Sequence, residues 1–281
     1  MLWGAGGDGG WPLHLGREGK PVIRRATGGV VLWEFEVFSG VRSLRHCVTG
    51  RQGGMSEGRY AALNVGLHVG DDCEAVVENR RRVCRALGVE FEGCTFAQQV
   101  HGDRICEVSG GQVGAGRTRF VDGIPETDGL VVAGPGAAVA VVVADCVPMM
   151  MYDPERHVGG VVHAGWRGTA AGIAGKAVRF LGERCGSRPE AVLAGVGPAI
   201  GPCCYEVSEE VAGKVGVAEV RDGKWYADLA EANRGQLCGA GVRAESIEVA
   251  GMCTACHSEE FYSERRLGRP TGRFGAFLAL R

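Results

Sequence analysis

Apolar residues along the chain fall into two kinds of pattern, short apolar runs and helix-spaced positions, which alternate with one another. The segment 72–87 has helix-spaced apolar residues, with Asp71 or Asp72 able to cap its start and Gly88 able to end it. The segment 30–38 is instead rich in β-branched and aromatic residues, which is typical of a strand. The same criteria predict strands at 94–100, 130–132, 139–144, 148–152, 158–162, 191–196, 246–250 and 274–280, and helices at 169–184, 208–215 and 228–239.

These strands and helices intermix, which indicates an α/β or α+β class. Several of the strands are apolar throughout, which predicts sheets covered on both faces. A chain of 281 residues can bury a sizeable core without disulfide bonds. Residues 1–28 are predicted to be a flexible Gly-rich tail. No repeat or linker divides the remainder, so 29–281 is expected to be a single domain.

The charge balance excludes several classes of partner. The formal net charge is -2, from 31 basic and 33 acidic residues, which gives no reason to expect nucleic acid or a membrane surface. The run Arg80-Arg81-Arg82 lies in a helical pattern and is interpreted as a solvated helix face. The longest uncharged apolar stretch, 129–144, is interrupted by Gly-Pro-Gly and is too short for a membrane span. Because no secretion signal begins the chain, we expect a cytoplasmic protein.

Twelve cysteines is a high count, and in a small secreted chain it would indicate a disulfide framework. In a large chain without an export signal, we interpret most of them as reduced, buried small hydrophobes. This interpretation covers Cys47, Cys73, Cys84, Cys94, Cys106, Cys185 and Cys238.

Three residues that could bind a metal come at the ends of apolar runs. His101 follows 96–100, Cys146 ends the run that begins at 141, and His163 follows 160–162. Strand ends in α/β sheets commonly meet at a ligand crevice. Two imidazoles and one thiolate suit zinc, with one position open for water or substrate, and copper is the alternative metal. The spacing is not compact, so a buried cysteine and two ordinary histidines stay the alternative from the residues alone.

The turn 163–168 reads His-Ala-Gly-Trp-Arg-Gly and adds an arginine to this chemistry. Its glycines allow the backbone to approach a ligand closely. Arg167, together with the N-terminus of the helix predicted to follow, could hold a phosphate or carboxylate. A surface ion pair is the alternative role for this arginine.

Short, specific blocks of residues follow one another along the chain. They are RQGGMS at 51–56, LNVGLHVGD at 63–71, NR at 79–80, QVHG at 99–102, ADCVP at 144–148, HAGWRG at 163–168, GPAIG at 197–201, CT at 253–254 and FYSERR at 261–266. Across residues 49–280 these blocks resemble those of the laccase-domain proteins, once called polyphenol oxidases and now described as purine nucleoside phosphorylases.

The resemblance implies an α/β fold built as a layered α-β-β-α sandwich with mixed sheets. It implies zinc at His101, Cys146 and His163, and phosphorolysis of adenosine, inosine and methylthioadenosine with some adenosine deamination. Purine nucleosides and phosphate are then the expected partners. Multicopper oxidation is not expected, because the chain has seven histidines and no His-x-His pair. The candidate catalytic residues are Cys146, Asp145 and Arg167, and the candidate substrate-binding residues are Arg51, Asn64, His68, Asp71 and Gln99.

Two other classes of function stay open at this point. Cys146 could be the nucleophile of a cysteine hydrolase of the amidase or deamidase type, acting on cell-wall precursors with His163 or His101 as its base. Alternatively, the chain could be a metal-binding protein without activity, although the Gly-rich loops around each candidate ligand argue for an accessible site. The sequence does not define the oligomeric state.

The segment 253–257 reads Cys-Thr-Ala-Cys-His and departs from the family, which usually lacks the second cysteine. Attachment of c-type haem at such a motif needs export, and the nucleobase-deaminase signature needs its Cys-x-x-Cys after the His-x-Glu. Neither is expected here. A structural metal is the more plausible alternative, and its ligands would be Cys203, Cys204, Cys253 and Cys256.

Overall fold

The computed structural model describes residues 22–281, whose strands form two large sheets and one small sheet. The first large sheet contains, in spatial order, β1 (Ile23–Thr27), β2 (Val30–Glu34), β3 (Leu44–Thr49), β15 (Phe274–Leu280), β7 (Ala138–Val143) and β4 (Cys94–Phe96). Neighbouring strands in it are antiparallel except β4, which is parallel to β7. The sheet is therefore mixed.

The second large sheet has the same number of strands and is also mixed. Its spatial order is β14 (Ile247–Val249), β10 (Leu193–Val196), β8 (Val147–Asp153), β9 (Val158–Ala164), β6 (Gly129–Ala133) and β5 (Ile105–Glu107). The small sheet contains β11 (Glu206–Val207), β13 (Lys224–Ala227) and β12 (Ala218–Arg221). The helices are α1 (Cys73–Leu87), α2 (Trp166–Ala170), α3 (Ile173–Cys185), α4 (Glu209–Val215), α5 (Leu229–Gly239) and α6 (Glu264–Leu267).

The two large sheets pack face to face with helices outside them. Alternate residues of β7 point to opposite faces, as the period of a strand requires, so that Val141 packs between the sheets and Ala140 packs towards α1. Helices α3 and α5 cover the outer face of the second sheet. The result is the layered α-β-β-α arrangement with mixed sheets, as expected. No helix within residues 22–281 has both the length and the apolar character that a bilayer crossing requires.

Helix boundaries follow local signals in most places. Asp72 caps α1 by accepting a hydrogen bond from the backbone N–H of Ala75 at 2.7 Å, and Gly88 ends the helix at a φ of 66°. The single helix predicted over 169–184 is wrong, because the chain forms α2 and α3 with a break at Gly172, where φ is 78°. Arg167 consequently lies inside the short helix α2 and not immediately before the N-terminus of the longer helix α3.

The beginning of the described chain corrects the predicted domain boundary. Residues 1–21 of the predicted tail lie outside the described residues, but Ile23–Thr27 pairs with β2 in antiparallel register. The predicted tail therefore includes β1, and the boundary at residue 28 falls in the turn of a hairpin. Two strands are shorter than predicted, because β2 ends at Glu34 and β4 ends at Phe96.

The basic run on α1 is not uniformly solvated, which corrects a second prediction. Arg81 is exposed, but Arg80 is buried beneath the helix. The Arg80 guanidinium donates hydrogen bonds to the carbonyl oxygens of Val65 at 2.8 Å and Gly116 at 2.7 Å, and it stacks on the ring of Phe96. Burial lowers the pKa of Arg80 to about 9. This arginine is part of the core.

All twelve cysteines have free sulfurs in this structure. The interpretation as small core residues is correct for Cys47, Cys84 and Cys94, which are buried. It is wrong for Cys73, which is exposed at the start of α1. Three others are half-buried, namely Cys106, Cys185 and Cys238.

Candidate metal centre

His101, Cys146 and His163 converge on one point of the second sheet and the loops beside it. His163 lies in β9, Cys146 lies in the turn between β7 and β8, and His101 lies in the loop that follows β4. One potential ligand atom from each residue lies within 4.8 Å of the others. The two imidazole rings meet edge to face with centroids 4.7 Å apart. The three predicted ligands therefore form one cluster, which we call the metal centre.

A carboxylate that the sequence did not single out organises the metal centre. Asp128 Oδ1 lies 2.7 Å from His163 Nδ1 and accepts the backbone N–H of His101 at 3.0 Å. Its Oδ2 accepts the N–H of Gly102 at 2.7 Å. Because Asp128 holds Nδ1 of His163, the Nε2 atom is free to face the cluster. Such carboxylate–histidine pairs orient the imidazole at metal sites.

The only sequence signal for Asp128 is weak. It is an aspartate placed just before the apolar strand β6, and such residues are common at strand starts. Its four hydrogen-bonded partners come from segments 26 to 35 residues away in the chain. Local patterns cannot reveal contacts at that separation.

The Cys146 thiol and the His163 imidazole shift each other's pKa values. Burial acts to raise the pKa of Cys146, but the charge of His163 and hydrogen bonds with both histidines lower it to about 6. Burial likewise acts to lower the pKa of His163, but the Cys146 charge and the hydrogen bond with Asp128 raise it to about 9. The sulfur is therefore a thiolate near neutral pH, the form of cysteine that binds metals or attacks as a nucleophile.

Two residues of the centre lie in the left-handed region of backbone conformation, which is uncommon without glycine. The φ angle is 84° at Asp145 and 60° at His101. The Asp145 side chain accepts hydrogen bonds from Thr254 Oγ1 at 2.7 Å and from the N–H of Arg265 at 2.8 Å. Its carbonyl oxygen accepts the N–H of Ile200. Asp145 is thus fixed by three segments, and it fixes the position of the cysteine that follows it.

The glycine after His163 and Ala164 is required by close packing. A Cβ atom at Gly165 would lie 3.0 Å from His101 Cδ2 and 3.1 Å from Cys146 Sγ. Contacts this short would move both side chains. The glycine in the turn 163–168 therefore permits close approach towards the candidate ligands His101 and Cys146.

A phenol and two arginines lie close to the metal centre. Burial raises the pKa of Tyr205 to about 12, and the charges of Cys146 and Asp145 act in the same direction. The positive charges of Arg265 and Arg167 oppose this shift, so both guanidinium groups lie within electrostatic reach of the phenol. An open pocket of about 470 Å³ adjoins this region, and its lining residues are Cys204, Ala255, Cys256, Arg265 and Arg266.

Arg167 itself is exposed, and its guanidinium stacks on the ring of Trp166, 4.4 Å from the ring centroid. Stacking of this kind holds an arginine in one orientation while leaving its N–H groups free to bind an anion. The position agrees with a role in anion binding beside the metal centre.

His68 also belongs to the surroundings of the metal centre. Its ring packs against Phe120 with centroids 5.3 Å apart. Desolvation by its neighbours lowers the pKa of His68 to about 4, and the positive charges of Arg273, Arg80 and the histidines of the metal centre act in the same direction. His68 is therefore a neutral imidazole near His101 and His163.

The other four candidate substrate-binding residues use their polar atoms within the protein, which does not support that role. Arg51 donates to the carbonyl oxygens of Ala61 and Ser258, and Gln99 exchanges two hydrogen bonds with the backbone of Val142. Asn64 is buried and donates to Asp71 Oδ2 at 2.8 Å. These side chains shape the loops around the centre, because their hydrogen-bonding groups are already engaged.

Comparison with known proteins shows to which family the chain belongs. The family model of the multi-copper polyphenol oxidoreductase laccases matches residues 45–281. The chain belongs to this family. It is 41% identical over 244 residues to the purine nucleoside phosphorylase YlmD of Geobacillus stearothermophilus, which covers 83% of this chain and 89% of that protein. A purine nucleoside phosphorylase of Deinococcus radiodurans is 39% identical over 241 residues, or 84% of this chain and 88% of that protein.

Solved structures of the family share the fold. The crystal structure of YlmD from Geobacillus stearothermophilus matches 93% of this chain and 100% of its own chain, with a TM-score of 0.87 and 38% identity. The Bacillus licheniformis hypothetical protein YfiH matches 92% and 99%, with a TM-score of 0.86 and 36% identity. These matches confirm the family and the layered fold that the sequence blocks implied.

Proposed function

We propose that this protein is a zinc-dependent purine nucleoside phosphorylase that acts on adenosine, inosine and methylthioadenosine. The observation that carries the proposal is the convergence of His101, Cys146 and His163, with a thiolate and two imidazoles in ligand range of one another. The names of the relatives agree with this activity. The identity of the metal as zinc, the three nucleoside substrates and a cytoplasmic location all belong to this proposal.

The side chains of His101, Cys146 and His163 fit a zinc-binding site better than they fit a purely structural role. Two imidazoles and a thiolate are ligands that zinc prefers, and three protein ligands leave one position for substrate or water. The hydrogen bond from His163 Nδ1 to Asp128 supplies the outer-sphere carboxylate that such histidines usually have. Copper is the alternative metal, because imidazole and thiolate also suit it.

When bound, zinc would supply positive charge that polarises a substrate group or a water molecule, and deamination of adenosine would use the same charge. The residues of the chain provide the rest. Asp128 fixes the orientation of His163, and Asp145 is a positioning residue that holds Cys146 in place. The neutral imidazole of His68 offers a hydrogen-bonding group to the nucleoside.

Arg167 is the proposed phosphate-binding residue, and the charge of Arg265 also acts on the Tyr205 phenol near it. The Arg167 guanidinium can bind the oxygens of phosphate through charge-assisted hydrogen bonds. Arg265 adds positive charge, while its terminal nitrogens donate to the carbonyl oxygens of Cys204 and Glu206. The adjoining pocket of about 470 Å³ lies in the size range of small-molecule sites.

The decisive experiment is product analysis of inosine cleavage with and without phosphate. We expect hypoxanthine and ribose 1-phosphate only when phosphate is present. Arg167→Ala should raise the KM for phosphate by roughly tenfold or more, with little change in the KM for inosine, since charge-assisted hydrogen bonds to phosphate are lost. Arg81→Ala is the matched control, because Arg81 is also exposed and also stacks on an aromatic ring, that of Phe91. Release of free ribose without phosphate would contradict the proposal.

A cysteine hydrolase is the second candidate, and one observation favours it. Cys146, His163 and Asp128 form a hydrogen-bonded series in the order of a nucleophile, a base and an orienting carboxylate. Chelation separates the two candidates. Phosphorolysis should disappear on chelation and return with zinc, whereas a Cys146-dependent amidase activity that survives chelation would favour the hydrolase.

A further inference from the structure

Four cysteine sulfurs meet at a second place, away from the three ligands of the metal centre. The four-cysteine cluster consists of Cys203, Cys204, Cys253 and Cys256, whose Sγ atoms all lie within 4.8 Å of one another. Cys203 and Cys204 lie in the segment after β10, and Cys253 and Cys256 lie in the segment after β14. A bridge between Ala199 and Cys253 aligns these segments, and the N–H of Thr254 donates to the Ala199 carbonyl at 3.0 Å.

We propose that the four-cysteine cluster binds a second zinc ion, in a closed structural site. Structural zinc sites are typically tetrahedral and closed by four protein ligands, and four cysteines are one of the common sets. The Cys-x-x-Cys spacing of Cys253 and Cys256 is a usual zinc-ligand spacing. The metal centre differs from this site, since its three ligands leave a position open.

The sulfur spacing fits one shared ion. Cys256 Sγ lies 3.6 Å from Cys203 Sγ and 3.5 Å from Cys204 Sγ. Four thiolates at about 2.3 Å from a zinc ion stand about 3.8 Å apart in a tetrahedron. A disulfide bond would bring two sulfurs to about 2.05 Å. The observed distances are close to the tetrahedral value and far from the disulfide value.

Backbone hydrogen bonds hold one sulfur of the cluster in place and engage the neighbouring histidine. The N–H of Gly201 donates to Cys253 Sγ at 3.2 Å. The nearby His257 is not needed as a ligand, since its Nδ1 lies 2.9 Å from the Cys253 carbonyl oxygen.

The cluster also connects to the metal centre through hydrogen bonds from Thr254 and Arg265 to Asp145. Thr254 lies between the two cysteines of the Cys-x-x-Cys segment, and its hydroxyl donates to Asp145, the residue before Cys146. Arg265 joins the same parts, because its side chain donates to the carbonyl of Cys204 and its N–H donates to Asp145. A zinc ion in the cluster would therefore stiffen the segments that hold Asp145 in its left-handed conformation.

The test is the metal content of variants in which the metal centre is disabled. The wild type should contain about two zinc ions per chain, and Cys146→Ala should retain about one in the four-cysteine cluster. Adding Cys253→Ser and Cys256→Ser to Cys146→Ala should remove it. Adding Cys73→Ser, which changes an exposed cysteine outside both sites, should leave it bound. Retention of the zinc ion by the variant that lacks Cys253 and Cys256 would overturn the proposal.

A second measurement leaves all four cysteines of the cluster unchanged. Cobalt(II) loaded into the otherwise unaltered Cys146→Ala protein should give the strong thiolate-to-cobalt absorption of a four-sulfur tetrahedral site. Absence of that absorption would contradict the proposal, as would a disulfide bond among the four cysteines in native protein. Neither measurement uses a nucleoside, so the result is separate from the proposed phosphorylase activity.

Discussion

At the scale of single residues, a substitution of Asp128 tests how the candidate ligands are oriented, because it leaves the ligands themselves unchanged. Asp128→Asn keeps the shape of the side chain but removes the charge that holds His163 Nδ1 and the backbone N–H groups. We expect zinc affinity at the metal centre to fall by about 10- to 100-fold, the usual effect of losing an outer-sphere partner. Competition with a coloured chelator measures it. Asp122→Asn, an exposed carboxylate near Arg119, is the control and should keep the wild-type affinity.

A substitution of Gly165 gives a second test at this scale, because it changes neither a candidate ligand nor a charge. The Cβ of Gly165→Ala would press on His101 and Cys146, and overpacking of this kind costs about 1–3 kcal/mol. Zinc binding should weaken by about tenfold, while circular dichroism shows the fold retained. Gly213→Ala on α4 is the matched control, since no atom lies within 4 Å of its new Cβ. Equal zinc affinities for the two variants would refute the packing argument.

At the scale of elements, the buried guanidinium of Arg80 attaches α1 to two loops by hydrogen bonds and to β4 by stacking on Phe96. Arg80→Met keeps much of the apolar stem but leaves the carbonyl oxygens of Val65 and Gly116 without donors. Each buried group left without a partner costs about 1–3 kcal/mol, so we expect the free energy of unfolding to fall by about 3 kcal/mol or more. Urea unfolding measures it. Arg81→Met, at the exposed neighbouring position, should change it by less than about 0.5 kcal/mol.

The same helix shows what a sequence reveals at this scale. Asp72 and Gly88 act on backbone groups within a turn of their own positions, so the limits of α1 could be predicted. Arg80 could not be placed, because its partners Val65 and Gly116 lie in other segments. Gly172 could not be identified as a break, since a single glycine is also tolerated within a helix.

At the scale of the whole molecule, the order of the strands could not be predicted from local sequence patterns. β15 lies in the middle of the first sheet, between β3 and β7, although it ends the chain. The proximity of the three ligands was predicted from strand ends, but the sequence did not show that Asp128 joins them. For the same reason the sequence offered the four cysteines only as an alternative, because their two segments are 52 residues apart and meet only in the folded sheet.

Acid stability is a property of the whole molecule to which the partly buried His46 should contribute. His46 lies on β3, and its Nε2 accepts the backbone N–H of Phe35 at 2.9 Å while its ring packs on Phe38. Phe35 in turn packs against Gly195 of the second sheet, so protonation of His46 would disturb the contact between the sheets. Burial lowers the pKa of His46 to about 4, whereas an unfolded histidine titrates near 6.5.

The unfolded chain therefore binds a proton at His46 at a higher pH than the folded protein does. The contribution of the neutral imidazole is complete above about pH 6.5, declines as the pH falls, and is lost near pH 4, with a total on the order of 3 kcal/mol. Other groups also titrate in this range, so the informative quantity is the difference between the wild type and His46→Gln. The glutamine can still accept the N–H of Phe35 but does not titrate. Urea unfolding between pH 7 and pH 4 should show the wild type losing stability more steeply than His46→Gln, and parallel curves would show that His46 is not the group responsible.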